Sequence, residues 1–203
     1  MDDFPPMVER ARALARQLGF PLTRQESAAG GGGPSACLPG VGRFLGVLAA
    51  GCAGGRIGEI GTGTGVGAAW MASAMPADCA LVTVEIDGRR AAAAAELFSG
   101  DDRVAVLSGD ARELLSGRGP FDLLFADGGW RDPGGLATLV DLVRVGGRVV
   151  MDDVTPLAAL PGGSPLRDGD VKRDLFFGNP RLVSTEVVLP DLANALLVGT
   201  RLS

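Results

Sequence analysis

A chain of 203 residues, 46% of them apolar, can build one domain with a substantial buried core. Its net charge of −5, with no basic run, argues against a nucleic-acid partner. It has no histidine and no tyrosine, which excludes imidazole zinc sites, Ser-His-Asp hydrolysis and a tyrosine general acid.

The chain opens on the acidic Met1-Asp2-Asp3, with no basic region ahead of an apolar core, so no secretory leader is expected. Pro5 to Leu18 reads as an amphipathic helix. Met7, Ala11, Leu14 and Leu18 share one face, and Glu9, Arg12 and Arg16 fall elsewhere. An apolar face that an α/β core does not need points to a homodimer. Ala28 to Pro34 contains four consecutive glycines, a run that cannot hold one conformation cheaply. It reads as a flexible linker or as a mobile lid over a cofactor. Val41 to Cys52 reads as a second helix. The longest apolar stretch, Val41 to Ala53, contains Arg43 and is too short to span a bilayer, so no membrane partner is expected. Cys37, Cys52 and Cys79 are odd in number and widely spaced, which fits neither a metal knuckle nor a disulfide framework and points to a reducing cytoplasm. Residues 1–55 are thus expected to form a helical lead with a Gly-rich loop, ahead of a core over 56–203.

From Arg56 strands and helices alternate. Strands are expected at Ile57–Ile60, Leu81–Ile86, Val104–Leu107, Phe121–Ala126 and Gly147–Met151. Helices are expected between them at Ala68–Ala74, Arg89–Phe98, Ala111–Leu115 and Leu136–Val143. That order means βαβ units and a parallel sheet. One more helix is expected within Leu166–Phe177. Arg181–Leu189 and Ala193–Arg201 then form an antiparallel hairpin about Pro190-Asp191. The fold class is α/β: a doubly wound, mostly parallel seven-stranded sheet, Rossmann-like, with a C-terminal antiparallel hairpin.

The first strand ends in Glu59-Ile60-Gly61-Thr62-Gly63-Thr64-Gly65-Val66-Gly67. Glycines there let the backbone turn tightly and approach a ligand closely, and the run sits between a strand and a helix, where such a motif carries weight. Glu85 ends the second strand, 24 residues after Gly61, where a carboxylate can accept from both ribose hydroxyls; Ile86 follows it. Glu59, just before the first glycine, suits a ligand carrying an ammonium and a sulfonium and would repel a pyrophosphate. Gly109-Asp110-Ala111 follows the third strand. Asp110 reads equally as an acceptor for an adenine amino group and as a helix N-cap. Trp70, on the first crossover helix, reads as core or as a neighbour of the adenosine.

Strand four ends in Asp127 and strand five in Asp152-Asp153. Parallel strands deliver their C-termini to one edge, so Asp127, Asp152 and Asp153 are expected to meet beside the reacting group. Oxygen ligands without His or Cys favour Mg²⁺ or a similar divalent ion, which would lower the pKa of an acceptor hydroxyl. The same aspartates also read as strand-end residues that cap loops, contact the cofactor or hold a substrate amine.

Glu59 to Gly67, Thr83 to Asp87, Gly109 to Ala111, Phe121 to Asp127 and Gly146 to Asp153 resemble successive motifs of the class I S-adenosyl-L-methionine (SAM)-dependent O-methyltransferases, nearest the catechol and caffeoyl-CoA type. The resemblance runs from about Val41 to Asp153. It implies SAM as cofactor, held by Glu59, Gly61, Gly63, Gly65, Glu85, Ile86, Gly109, Asp110, Ala111 and Asp127. It implies a small-molecule acceptor methylated on oxygen, with Asp127 and Asp152 at the chemistry, and a homodimer. It also implies a metal bound by one Asp after strand four and an Asp-Asn pair after strand five. Here that pair is Asp152-Asp153, and the lysine expected three residues after Asp127 is replaced by Trp130. Arg131, the next residue, cannot serve as a base. Lys172 is the only lysine in the chain, and the excess of arginine over lysine reads as coding composition. A metal-free methyltransferase acting on nitrogen or oxygen is the alternative within this class, and a nicotinamide-dependent oxidoreductase and a catalytically decayed cofactor-binding protein are the competing classes.

Overall fold

A computed structural model describes residues 4–128, 133–167, 169–189 and 194–203. Three helices lead: α1 (Pro6–Leu18), α2 (Arg24–Ala29) and α3 (Pro39–Ala50). Then come β1 (Arg56–Ile60), α4 (Val66–Ala74), β2 (Ala80–Glu85), α5 (Gly88–Phe98), β3 (Val104–Ser108), α6 (Ala111–Leu114), β4 (Phe121–Ala126), α7 (Pro133–Leu142) and β5 (Val143–Val154). A 3₁₀ turn at Pro165–Arg167, α8 (Val171–Gly178), β6 (Leu182–Val188) and β7 (Ala195–Arg201) complete it.

The strands form one sheet in the order β3-β2-β1-β4-β5-β7-β6. β1 to β5 run parallel, and β7 pairs antiparallel with both β5 and β6. The seven-stranded, mostly parallel sheet with a terminal antiparallel pair is therefore as expected. The turn at Pro190-Asp191 lies outside the described residues, as do Trp130 and Arg131. The order reverses about β1, whose neighbours are β2 and β4, so a crevice opens at their C-terminal ends.

Each face of the sheet has its own core. On one, α1, α3 and α4 cover Ile57, Leu81, Leu123 and Phe125. On the other, Leu115, Leu139, Val140 and Phe176 cover Ile60, Leu124 and Met151. Val8, Ala11 and Ala15 of α1 are buried in the first core, so of the face expected to be apolar Ala11 is buried while Met7, Leu14 and Leu18 are half-buried. The buried stripe is turned slightly from the one expected, with Met7 half-buried at its edge. Trp70 belongs to that core as well. It meets Phe4 edge-on at 5.9 Å, and a Cβ at Gly42 of α3 would fall on its ring. Close approach of α3 to α4 is what Gly42 provides.

Three local differences from the sequence reading have physical causes. α2 exists because Thr23 caps it, accepting from the Glu26 N–H, while Glu26 Oε2 accepts from the Leu22 N–H. The Thr23-Arg24-Gln25-Glu26 spacing is that of a capping box. The single helix expected over Leu166–Phe177 is a 3₁₀ turn followed by α8, because the Asp170 carboxylate caps a new start at Val171. β5 runs past Met151 through a register shift to Val154, and Asp152 and Asp153 occupy that bulge. Bulges re-aim side chains, and Asp153 has φ of 60°.

Candidate active site

Two adjoining cavities lie along the C-terminal ends of β1 and β2, sharing Gly61, Glu85, Ile86 and Gly128. The first, about 150 Å³, is floored by Gly61 to Thr64 and Asp127 and roofed from the lead segment by Phe20 and Pro34 to Cys37. The second, about 220 Å³, is lined by Ile60, Val84 and Gly109 to Arg112.

The glycines expected in the cofactor loop do conformational work. Gly61, Gly63 and Gly65 have φ of 92°, 57° and 86°, where an L side chain is strained. A Cβ on Gly61 would lie 2.7 Å from the Asp127 carbonyl oxygen. The loops after β1 and β4 therefore touch through backbone at the crevice floor.

Glu85 is buried, at 4% exposure, on the wall common to both cavities. Its Oε2 accepts from the Gly63 N–H at 2.7 Å; its Oε1 accepts from the Asp87 N–H at 2.9 Å and from Arg90 Nη2 at 2.8 Å. A carboxylate offers about four lone-pair sites, so it is held rigidly and keeps capacity for a ligand hydroxyl. Arg90 in turn lies under the Phe20 ring at 5.5 Å. Ile86, by contrast, is 75% exposed at the mouth of both cavities. Asp110 Oδ1 caps α6 by accepting from the Arg112 N–H, and the residue lines the second cavity. Gly109, with φ of 145°, and Ala111 line the same cavity. Thr64 Oγ1, in the first cavity's wall, is buried with no hydrogen-bond partner among the described residues.

Glu59 lies elsewhere than expected. It lines neither cavity. It is buried beneath the loop, where Oε2 meets Thr83 Oγ1 at 2.5 Å and Thr83 meets Thr62 Oγ1 at the same distance. A side chain at Gly67 would collide with its Oε1. Burial pushes this carboxyl up to about 8, against the hydrogen bond from Thr83 and with the Glu85 charge adding to the rise. At neutral pH it is mostly a neutral acid that ties loop to sheet.

The acidic edge also differs. Burial first, then the charges of Asp152, Asp153 and Glu59, hold the Asp127 carboxyl well above the ordinary carboxylate range, with Lys172 acting against them. Asp152 is buried outside both cavities, and Oδ1 accepts from Asn194 Nδ2 and from the Asp153 N–H, both at 2.6 Å. Burial raises its pKa while those two donors lower it. Asp153 turns outward and pairs with Arg24 at 2.9 Å. The three aspartates are close enough to feel one another's charge. Among the described residues, however, no three acidic or thiol side chains form a group that could hold a metal ion. The expected metal site at Asp127, Asp152 and Asp153 is corrected accordingly: Asp152 Oδ1 and Asp153 Oδ1 are engaged by protein donors.

Sequence reasoning missed Phe20, Cys37, Arg90, Arg24, Asn194 and Lys172 at these sites. Only Lys172 had a signal, as the chain's sole lysine. Cys37 borders Asp127, and burial, then the charges of Asp127, Asp152 and Glu59, push its thiol up. It packs with the first core.

The comparisons with known proteins converge on one class. Residues 59–154 match the model of a methyltransferase domain. A candidate O-methyltransferase of Mycolicibacterium smegmatis is 34% identical over 181 residues, covering 83% of this chain and 84% of that protein. The chain belongs to the SAM-dependent O-methyltransferase family. A solved candidate O-methyltransferase from Klebsiella pneumoniae superposes with a TM-score of 0.75 at 25% identity, covering 100% of this chain and 93% of that one. TomG of Streptomyces achromogenes, an O-methyltransferase of tomaymycin synthesis solved with SAM, gives a TM-score of 0.75 at 24% identity, over 99% and 92% of the two chains, and shares the fold. Family membership removes the nicotinamide oxidoreductase. No described helix is long and apolar enough to cross a membrane.

Proposed function

We propose that the paired cavities hold SAM and that the chain methylates a hydroxyl of a small molecule at the Asp127 end of the crevice. The observation that carries this reading is Glu85: a buried carboxylate, fixed by three donors, on the wall between two cavities at the sheet's switch point. Glu85 takes the ribose hydroxyls, Ile86 lies against the adenine, and Asp110 with the Ala111 end of α6 meets the adenine edge. The Gly61–Gly65 backbone and Thr64 Oγ1 hold the amino-acid end. SAM held there would supply a sulfonium-activated methyl group to the acceptor oxygen and leave as S-adenosylhomocysteine, the acceptor losing its proton. The chain's own part is to align the acceptor oxygen and exclude water. Phe20 and Pro34–Cys37 roof the first cavity and serve that exclusion. Calorimetry should show S-adenosylhomocysteine binding where NAD does not, and a screen of hydroxylated acceptors with methyl-labelled SAM should find turnover. Equal binding of NAD, or none of either, would reject the reading.

A further inference from the structure

Two cations and an amide reach the acidic edge from three distant parts of the chain. From α2, Arg24 Nη2 donates to Asp153 Oδ1 at 2.9 Å and to Asn194 Oδ1 at 2.5 Å. Ahead of β7, Asn194 Nδ2 passes the contact on to Asp152 Oδ1 at 2.6 Å. From the first turn of α8, Lys172 Nζ donates to the main-chain carbonyls of Asp152 at 2.8 Å and Asp153 at 3.2 Å. A divalent ion would need a shell of about six oxygens. Asp152 Oδ1, Asp153 Oδ1 and the main-chain carbonyls of both residues already accept from protein N–H groups, and an ion placed there would sit against a guanidinium and an ammonium.

The two departures from the family pattern fit one device. Aspartate in place of asparagine at 153 adds a negative charge, and that charge faces Arg24. The sole lysine is absent from the position three residues after Asp127 and arrives instead from α8 onto the bulge. We propose that Arg24 and Lys172 take the place of the divalent ion, so that this edge is neutralised by the chain itself and methyl transfer needs no metal. They act as positioning residues, holding the Asp152-Asp153 bulge against the crevice floor. The consequence for the reaction rests on the methyltransferase reading; the binding prediction does not.

Mn²⁺ titration followed by electron paramagnetic resonance, with S-adenosylhomocysteine present, reads this directly. The free-Mn²⁺ signal should be unattenuated by wild type up to millimolar ion, and labelled-methyl transfer should be unchanged in excess EDTA. Arg24→Met/Lys172→Met, shown folded by circular dichroism, should gain a saturable site, and Lys172→Arg should stay as silent as wild type. One Mn²⁺ bound per wild-type chain and lost in Asp152→Asn would overturn the proposal, as would a folded double variant that stays silent. If the double variant does not fold, the wild-type titration decides alone. An absence of turnover with every acceptor would count against the methyltransferase reading and leave the Mn²⁺ result standing.

Discussion

At the end of β2, Glu85 is held by Gly63, Asp87 and Arg90, all within 22 residues of it. At the end of β5, Asp152 is held by Asn194, 42 residues away, and Asp153 by Arg24, 129 residues away. Both regions place carboxylates at the C-terminal edge of a parallel sheet, where topology sends them. The first fixes a buried carboxylate with local donors and leaves it on a cavity wall. The second cancels its charges with remote ones and turns them off the wall. Position in a sheet thus decides which side chains meet, and their partners decide whether they face a ligand or the protein. Glu59, at the end of β1, is the third case: no cation among the described residues contacts it and burial pushes its carboxyl up to about 8.

The largest effect should come from that third case. The folded-state pKa of Glu59, about 8, stands above the ordinary 4.5. The native state keeps a proton the unfolded chain has already lost, so stability falls as pH rises from about 4.5 towards 8 and levels off above. The fall should be on the order of several kcal/mol. Glu59→Gln, neutral at every pH and still able to meet Thr83, should flatten that slope and exceed wild type in stability above pH ~8. Urea unfolding across pH checks it, and an equal slope in both proteins would place Glu59 among the ionised carboxylates.

Next in size is the contact between the β1 and β4 loops. Gly61→Ala adds strain at φ 92° and a clash with the Asp127 carbonyl, costing about 2–4 kcal/mol and abolishing S-adenosylhomocysteine binding. Gly31→Ala is the control: φ is 94°, but nothing lies within 4 Å, so only the strain of about 1 kcal/mol remains. Similar losses for both, by denaturation, would mean that backbone strain alone matters and the loops need not touch.

Glu85→Ala should weaken S-adenosylhomocysteine by roughly 2–3 kcal/mol, about 30- to 150-fold, through the loss of charge-assisted hydrogen bonds to the ribose. It also releases Gly63 and Arg90, so Gly63 N–H protection from exchange should fall with affinity. Calorimetry giving unchanged affinity would move the ribose away from β2.

The contrast between the two edges also explains what could be read from the chain. The glycine loop, Glu85 and Asp110 are legible because the strand, the turn and the capping side chain are adjacent in sequence, and periodicity places them. The five parallel strands follow from the same local patterns. Arg24, Asn194 and Lys172 have no such signature: each meets the bulge of β5 only when α2, the segment ahead of β7 and α8 pack onto it, and nothing in a window of ten residues encodes that. Glu59 was misplaced for a related reason. Spacing put it at the loop, but not on which side of the β1 surface Gly67 would leave room for its carboxyl. α2 was legible through Thr23 and Glu26 and was obscured by the glycines that follow.

The smallest effect belongs to the outermost carboxylate. Asp153 occupies φ 60°, a conformation costly for most side chains, in which asparagine and aspartate are the common non-glycine residues. Asp153→Asn therefore keeps the backbone and removes only the charge that meets Arg24. Both partners are substantially exposed, at 35% and 59% of their side chains, so solvent screens the pair and its worth is about 0–1 kcal/mol. Urea denaturation should show a loss within that range, vanishing in molar salt, where the screening length falls to about 3 Å. If the loss instead exceeds about 2 kcal/mol and survives salt, the pair behaves as part of a buried network with Asn194 and Asp152. The contrast would then sharpen, because the distant cations would hold the bulge in place as firmly as the local donors hold Glu85.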